Sequence, residues 1–355
     1  MTSKRLIYAN AHTVTHPTGS FRHYYSTVYG TWPFPVDRFN VLPSIDADTL
    51  STVNIIKDPN YNLLNLSVDW QDRYWAICDQ VGTNIYATAD VGYKTIVVMY
   101  SGGIDSAAAL VSLMKNTRYR EFLDQGRLKV ALSSSSIAEY PEYFYNRILP
   151  EIPVVPVDYN TAMLDPTVLV VTGDAGDYVI GNTDTPIFYH NGATNNLYED
   201  KSVLYPYLDT VDTTGKFSNF ARELCKHAPF DIVSVNQLYW WIGQCFVHQG
   251  EMCYPFNWSA TTDMSELATN NKVYRFFLDD LFTTFSFEYM STNPRYTTYN
   301  SVRDFPRKYI VDYTRDQTYL TKIKLFSQSF MFKQICKSAV YEDLTFSTDF
   351  SRTTQ

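Results

Sequence analysis

The sequence predicts an α/β fold in which helices cover a parallel sheet. From about residue 94 onward, short apolar runs alternate with segments that carry helical periodicity, and this alternation is typical of parallel strands connected by helices. The runs at 95–100 and 167–172 are almost wholly apolar, as expected for strands buried on both faces. Each of these two runs is followed by a turn that contains glycine.

The elements of the sheet region follow from these patterns in chain order. Residues 1–70 show only short alternating pieces, and we expect them to form an N-terminal extension of unclear fold. Apolar residues within 72–87 fall on one helical face. The next predicted elements are strand 95–100, a helix carrying 107–114, strand 129–134, helix 139–149, strand 153–157 and strand 167–172. The prolines of strand 153–157 indicate an edge of the sheet.

Beyond about residue 182 the chain changes to helices separated by polar loops. Helices are predicted at 217–227, 232–249 and 272–282, and around 307–313. Residues 184–214 form a long polar loop of the kind that often serves as a lid. We therefore divide the chain into an extension (1–70), an α/β core (71–205) and a helical C-terminal part (206–355).

Composition and charge narrow the function and the location. The 355 residues include 37 acidic and 29 basic side chains, and the net charge of −8 argues against a protein that mainly grips a long nucleic-acid backbone. Neither a signal peptide nor a membrane-spanning run is evident, so we expect a soluble, cytoplasmic protein without a membrane partner. Five cysteines without a Cys-x-x-Cys pair fit reduced thiols in that compartment.

The turn after the first strand, Ser101-Gly102-Gly103-Ile104-Asp105-Ser106, has the features of an anion site. Its glycines allow the backbone to fold tightly against a ligand, and the following helix directs unpaired N–H groups into the turn. The serine hydroxyls could bind phosphate oxygens while Asp105 holds a magnesium ion. The plain alternative is a strand-to-helix turn in which Asp105 or Ser106 caps the helix. Walker-type NTPases and dinucleotide binders are not indicated, because neither of their glycine motifs is present.

A second turn, Gly173-Asp174-Ala175-Gly176-Asp177, follows strand 167–172 and supplies two further carboxylates. Ligands bind outside the carboxyl ends of the strands in open α/β sheets. We therefore expect the two turns to face each other and to form one site.

Both turns resemble motifs of one enzyme family. Residues 101–106 are similar to the S-G-G-x-D-S pyrophosphate loop of the N-type ATP pyrophosphatases, which cut ATP between its α and β phosphates. Residues 173–181 resemble the G-[ED]-G-[AG]-D-E-x-x-G-G stretch of the asparagine synthetases, the β-lactam synthetases and the lasso-peptide cyclases. The resemblance extends over about residues 70–330. It implies a parallel sheet of the adenine-nucleotide alpha-hydrolase (PP-loop) type with a helical C-terminal half.

The resemblance also implies cofactors and residue roles. ATP and Mg²⁺ would be the cofactors, with the pyrophosphate in the first turn and the magnesium shared by Asp105 and Asp177. The strand at 130–134 would lie along the adenine. The nucleotide-binding residues implied in this way are Ser101, Gly102, Gly103, Asp105, Ser106, Ser134 and Gly173.

Three residues are implied as catalytic. Asp174 would bind the amine or take its proton near the reacting acyl group. The family also uses a downstream lysine to neutralise charge as the tetrahedral intermediate and pyrophosphate form, and Lys322 and Lys324 are the candidates here. A solvated surface position is an equally good explanation for either lysine.

Some positions depart from the family pattern. Asparagine synthetases begin with a glutaminase domain whose nucleophile is the cysteine after the initiator methionine. Here position 2 is Thr2, and only about 70–90 residues precede the synthetase-like part. Ammonia would then come from solution or from a partner, or the nucleophile would be a ready-made amine. In the second motif Ala175 replaces a glycine, Tyr178 a glutamate and Asn182 the last glycine, and these changes bear on the acceptor substrate.

The expected function is an ATP-dependent, AMP-forming carbon–nitrogen ligase that joins a small-molecule carboxylate to ammonia or an amine. One alternative is a tRNA- or nucleotide-modifying enzyme that shares the loop, and the acidic charge and lack of Cys-x-x-Cys disfavour it. The other is an inactive relative that serves as a binding module. The joint presence of Asp105, Asp174 and Asp177 disfavours that alternative.

Overall fold

A five-stranded parallel sheet forms the centre of the described structure. The computed structural model describes residues 69–156, 165–180, 200–203, 205–206, 228–242, 273–292 and 299–322, and residues 222, 225, 226 and 244. The strands are β1 (Thr95–Met99), β2 (Leu128–Leu132), β3 (Val154–Pro156), β4 (Val168–Thr172) and β5 (Val273–Arg275), in the spatial order β3-β2-β1-β4-β5. The predicted α/β fold with a parallel sheet is confirmed, and β3 lies at an edge as its prolines indicate.

Helices flank the strands in sequence. They are α1 (Trp70–Gly92), α2 (Ile104–Lys115), α3 (Tyr119–Asp124), α4 (Ser134–Glu139), α6 (Gly176–Val179), α7 (Val235–Ile242), α8 (Asp280–Thr292) and α9 (Tyr299–Thr314). Helix α5 consists of Pro141–Tyr143, a π-helical turn at Phe144–Ile148, and Leu149–Glu151. Short 3₁₀ helices lie at Lys201–Val203, Phe276–Leu278 and Gln317–Thr321. None of the helices in the described part of the chain is both long enough and apolar enough to cross a membrane.

The long helix α1 packs closely on α2. Asp69 caps the start of α1, because its carboxylate accepts hydrogen bonds from the N–H groups of the second and third helical residues at 2.8 and 3.2 Å. A Cβ atom at Gly82 would lie 2.9 Å from the Ser112 carbonyl oxygen, so only glycine allows this separation of the helices. The Ser112 hydroxyl donates to the Cys78 carbonyl across the same contact. The two helices therefore form a tight layer next to the first turn.

Two faces of the sheet bury apolar side chains. Ile96 and Val98 of β1 belong to the large core that includes α1, α2, α8 and α9. Val97 and Met99, which alternate with them, pack with Ala131 and Val170 in a second, smaller cluster. Successive residues of a strand face opposite sides of the sheet, and both sides are buried here. This is why β1 and β4 have almost no polar positions.

Two predicted elements were wrong in part. The strand predicted at 129–134 ends at Leu132, because Ser133 caps α4: its hydroxyl accepts from the Ser136 N–H, and the Ser136 hydroxyl accepts in return from the Ser133 N–H. The helix predicted at 272–282 begins instead as β5, followed by a 3₁₀ turn, and α8 starts only at Asp280. A short apolar run does not distinguish helix from strand, and pairing with β4 decides the outcome here.

The remaining predicted helices have mixed outcomes. Helices predicted at 72–87, 107–114, 139–149 and 307–313 correspond to α1, α2, α5 and α9, and α7 covers part of 232–249. The helix at 217–227 and the polar loop at 184–214 lie largely outside the described residues, as do nearly all of residues 1–70.

Candidate active site

The two motif turns leave the sheet side by side. Chain connections run from β1 to β2 and β3 on one side of the sheet, and from β4 to β5 on the other, so the strand order reverses between β1 and β4. These two strands pair in parallel, with Val98 opposite Val171, so their carboxyl ends lie at the same edge. Such a reversal is the place where open α/β sheets bind ligands. Residues 101–106 and 173–177 therefore occupy the expected binding crevice.

The first turn is closed by its own serines. The Ser101 N–H donates to Ser106 Oγ at 3.0 Å, and the two serine hydroxyls lie 2.8 Å apart. The Ser106 hydroxyl also lies within hydrogen-bond distance (3.1 Å) of the Gly103 carbonyl oxygen. Gly102 has φ = +78°, and a Cβ there would lie 2.6 Å from Glu139 Cβ on α4. The backbone of this turn is thus fixed, and it requires glycine at position 102.

The start of α2 is left without a side-chain cap. Gly103 is the N-cap residue of α2, and as a glycine it has no side chain that could cap the helix. The plain alternative placed Asp105 or Ser106 at the cap, but both residues lie within the first turn of α2. An uncapped helix start directs N–H groups and partial positive charge toward the crevice, which favours an anion there.

The second turn lies directly against the first. A Cβ atom at Gly173 would be 2.6 Å from the Asp105 carbonyl carbon and the Ser106 nitrogen, and a Cβ at Gly176 would be 2.5 Å from Asp105 Cγ. The atoms near Gly173 belong to the backbone, so that position excludes any side chain, whereas a side chain at Gly176 would displace the Asp105 carboxylate. Because Gly176 has no side chain, its backbone leaves room for the Asp105 carboxylate. Gly176 directly precedes Asp177 in the chain. The structure thus brings together the two turns that the sequence predicted to face each other.

Ala175 adopts the backbone conformation that the second turn requires. It has φ = 69° and ψ = 10° and forms the N-cap of α6. This left-handed region costs a residue with a Cβ about 1–2 kcal/mol. The glycine found here in the family that the chain resembles would avoid that cost.

Asp105 and Asp177 are close enough to act on a common neighbour. Burial raises the pKa of Tyr74, a residue of α1, well above its ordinary value, and the negative charges of Asp105 and Asp177 raise it further. Asp177 also forms an ion pair with Arg303 of α9, with 3.6 Å between Asp177 Oδ1 and an Arg303 guanidinium nitrogen.

These two carboxylates fit a magnesium ion that also has phosphate ligands. The described residues contain no group of three or more His, Cys, Asp or Glu side chains that could hold a metal ion. Mg²⁺ is usually bound through one or two carboxylates together with substrate phosphates and water. Asp105 and Asp177, next to the uncapped start of α2, match that mode of binding.

Asp174 lies on the β5 side of the crevice. Burial raises the pKa of Asp174 above its ordinary value, while the nearby Thr172 hydroxyl and Arg275 guanidinium act in the opposite direction. Arg275 is buried and ends β5, opposite Thr172 in the parallel register. A raised pKa makes a carboxylate a stronger base, as acceptance of a proton requires. Sequence reasoning missed Arg275, because its segment was predicted to be helical.

Ser134 lies at the same edge of the sheet, beyond the end of β2. It is the first residue of α4 and is exposed, so it does not extend the strand that was expected to lie along the adenine. The neighbouring Ser133 and Ser136 hydroxyls are engaged in capping α4. Because α4 packs on Gly102, the Ser134 segment still borders the first turn.

Lys322 is half-buried next to an aromatic surface. Its Nζ atom lies 4.4 Å from the centre of the Tyr140 ring. Burial lowers the pKa of Lys322, and nearby carboxylates, Glu139 among them, act in the opposite direction. Glu139 also lies next to Gly102, so Lys322 is on the side of the first turn that faces α4. Lys324, the other candidate, lies outside the described residues.

Two buried arginines of α9 were also missed by sequence reasoning. Arg303 and Arg307 are one helical turn apart, and each is only 7% exposed. Arg303 pairs with Asp177, and Arg307 donates to the Lys322 carbonyl oxygen at 2.9 Å. The Arg-x-x-x-Arg spacing on a helix was the available signal, but the predicted helix began only at 307.

The chain was compared with models of known protein families, with curated proteins and with solved structures, and no match was found. Function is therefore inferred from the two turns, from the residues around them and from the motifs they carry.

Proposed function

We propose that the protein is an ATP-dependent, AMP- and pyrophosphate-forming amide ligase of the asparagine synthetase-like kind. One observation carries the proposal: residues 101–106 and 173–177 are in backbone contact at the reversal point of the sheet, with Gly173 against Asp105 and Ser106. The motif resemblance and this contact concern the same residues. We further propose that the sheet is of the adenine-nucleotide alpha-hydrolase (PP-loop) type.

The first turn would hold the pyrophosphate of ATP. The uncapped start of α2 offers N–H groups and a positive helix end, and Ser101 and Ser106 place hydroxyls beside them. Asp105 and Asp177 would hold Mg²⁺, which supplies positive charge to the phosphates when bound. Each of these features favours departure of pyrophosphate as an anion.

The proposed reaction has two steps. A carboxylate oxygen of the substrate attacks the α-phosphorus of ATP, the bond to the bridging oxygen breaks, and pyrophosphate leaves. An amine then attacks the acyl carbon, AMP leaves, and an amide forms with release of a proton. Asp174 would accept that proton, and its pKa, which burial raises, supports this role. Lys322 would stabilise negative charge from the α4 side.

The substrates would be small molecules, and the compartment would be the cytoplasm. The amine would be ammonia, supplied from solution or by a partner protein, or a ready-made amine. No membrane partner is proposed, and nucleic acid is not the expected substrate because the chain carries a net charge of −8.

Pyrophosphate release tests the proposal directly. Purified protein is incubated with ATP, Mg²⁺ and pairs of acids and amines, and products are identified by mass spectrometry. We expect Asp105→Asn to lower release at least about 100-fold, since the isosteric change removes one charge from the metal site. Asp124→Asn, an exposed position on α3, is the matched control and should retain activity.

Each alternative gives a different result in this experiment. Release that requires tRNA, together with a tRNA gel shift, would favour a tRNA-modifying enzyme. A protein that is not stabilised by ATP and Mg²⁺ in a thermal-shift assay, and releases no pyrophosphate with any pair, would instead be a binding relative.

A further inference from the structure

A buried cation lies beside one of the proposed metal ligands. Arg303 has a side chain that is 9% exposed, and its guanidinium is 3.6 Å from Asp177 Oδ1, whose side chain is 30% exposed. This separation is longer than that of an N–H···O hydrogen bond, so the recorded contact is mainly electrostatic. Arg303 belongs to α9, which packs on α2, the helix that carries Asp105. The arginine is therefore built into the wall of the candidate site.

The charges around Asp177 explain why a cation is useful there. Asp105 and Asp177 lie on turns that touch, so two partly buried negative charges are held close together. Like charges in that arrangement repel each other. Arg303 supplies a positive charge beside Asp177. A divalent cation binding to the same carboxylate would have to share that carboxylate with the guanidinium.

We propose that Arg303 is a positioning residue whose positive charge balances the negative charge of Asp177 before the metal binds. Its charge thereby makes metal binding depend on nucleotide. This inference rests on the proposed function. Without nucleotide, the Arg303 charge opposes entry of a second cation next to Asp177. When a nucleotide brings its phosphates, their negative charge offsets the repulsion between the guanidinium and the metal ion. The metal therefore binds together with the nucleotide and not before it.

The test measures binding of Mn²⁺ alone, because Mn²⁺ can replace Mg²⁺ and its free concentration is read by electron paramagnetic resonance. The full-length chain is titrated with Mn²⁺, first without nucleotide and then with a non-hydrolysable ATP analogue, and the second titration is compared with one of the analogue alone because its phosphates also bind Mn²⁺. We expect Arg303→Gln to bind Mn²⁺ without nucleotide about tenfold more tightly than the wild type, a coupling of ordinary size. Arg303→Lys keeps the charge and should bind Mn²⁺ as weakly as the wild type.

Arg73→Gln is the control for loss of an arginine that pairs with a carboxylate between two helices. Arg73 pairs with Glu288 between α1 and α8, and its removal disturbs a comparable ion pair without touching Asp177. We expect this variant to be less stable but unchanged in Mn²⁺ affinity. A purely structural role for Arg303 would make Arg303→Gln behave like Arg73→Gln, and that result would overturn the inference.

Thermal stability gives a second measurement if Arg303→Gln folds poorly. Mn²⁺ alone should then offset the repulsion between the two carboxylates in this variant, so that the variant gains more in Tm from the ion than the wild type does. Failure of Mn²⁺ to rescue the variant would overturn the inference. A wild type that binds no Mn²⁺ even with the ATP analogue would overturn the proposed function as well. Normal Mn²⁺ binding with the analogue, but no difference between wild type and variant without it, would overturn the inference alone.

Discussion

Gly173→Ala should separate the two turns of the candidate site. A Cβ atom at residue 173 would lie 2.6 Å from the Asp105 carbonyl carbon and the Ser106 nitrogen, and 2.7 Å from Ser106 Cα. All three are backbone atoms, so no rotation of a side chain can relieve the contact. The second turn has to move away from the first.

The size of the effect follows from these distances. Ordinary van der Waals contact begins at 3.4 Å, so the closest pair, at 2.6 Å, must separate by 0.8 Å. Overpacking of this kind costs about 1–3 kcal/mol of the free energy of unfolding. A displacement of about 1 Å among reacting groups can lower a rate about 100-fold. We therefore expect a small fall in Tm and a fall of about 100-fold in pyrophosphate release.

Gly92→Ala is the control, because a Cβ atom at the end of α1 would meet nothing within 4 Å. Both variants are compared with the wild type by thermal unfolding and by ATP-dependent pyrophosphate release. Wild-type release from Gly173→Ala would refute the idea that the two turns act as one site. Equal losses in Gly173→Ala and Gly92→Ala would show that the effect does not come from the contact between the turns.

Two further perturbations address Lys322 and Asp316. Lys322→Met should lower kcat for pyrophosphate release about 100-fold with little change in the KM for ATP, as when one charge-stabilising group is lost. Lys115→Met is its control, since Lys115 also lies over a tyrosine ring but at the far end of α2, and an equal loss there would contradict the assignment. Burial raises the pKa of Asp316, but hydrogen bonds from Thr318 and Tyr140 outweigh this and leave the pKa below its ordinary value. The stabilisation is present above the unfolded pKa of about 3.9 and is lost as the pH falls through the lower folded pKa. The Tm advantage of the wild type over Asp316→Asn should therefore shrink in that acidic range, and a constant difference would argue against it.

The central part of the fold could be predicted because the determining signals are local. An apolar run followed by glycine indicates a buried strand and a turn, and the parallel arrangement then brings the turns after β1 and β4 to one edge. The contact of Gly173 with the first turn agrees with that expectation. The expected roles of Asp105, Asp174 and Asp177 stay predictions for the assays above.

Residues that enter the site from distant segments could not be predicted. Arg275 reaches the sheet edge only because β5 pairs with β4, and no local pattern marks 273–275 as a strand. Arg303 is buried only because α9 packs on α2 beside Asp177. Arg303 precedes the helix that the sequence predicts around 307–313, so the sequence pattern assigns it to no helix face. Tertiary packing, which that pattern does not encode, buries it.

The distance along the chain between β4 and β5 sets an order for folding during synthesis. Val170 pairs with Val273, 103 positions later. At about 5–20 residues per second, a ribosome needs about 5–20 s to make the intervening chain. Throughout that interval the outer edge of β4 has no partner strand, and an unpaired edge is a template for association with other chains. The nascent protein is therefore most prone to aggregate after β4 has emerged and before β5 arrives, and the speed of this last pairing would govern how much folded protein a cell recovers.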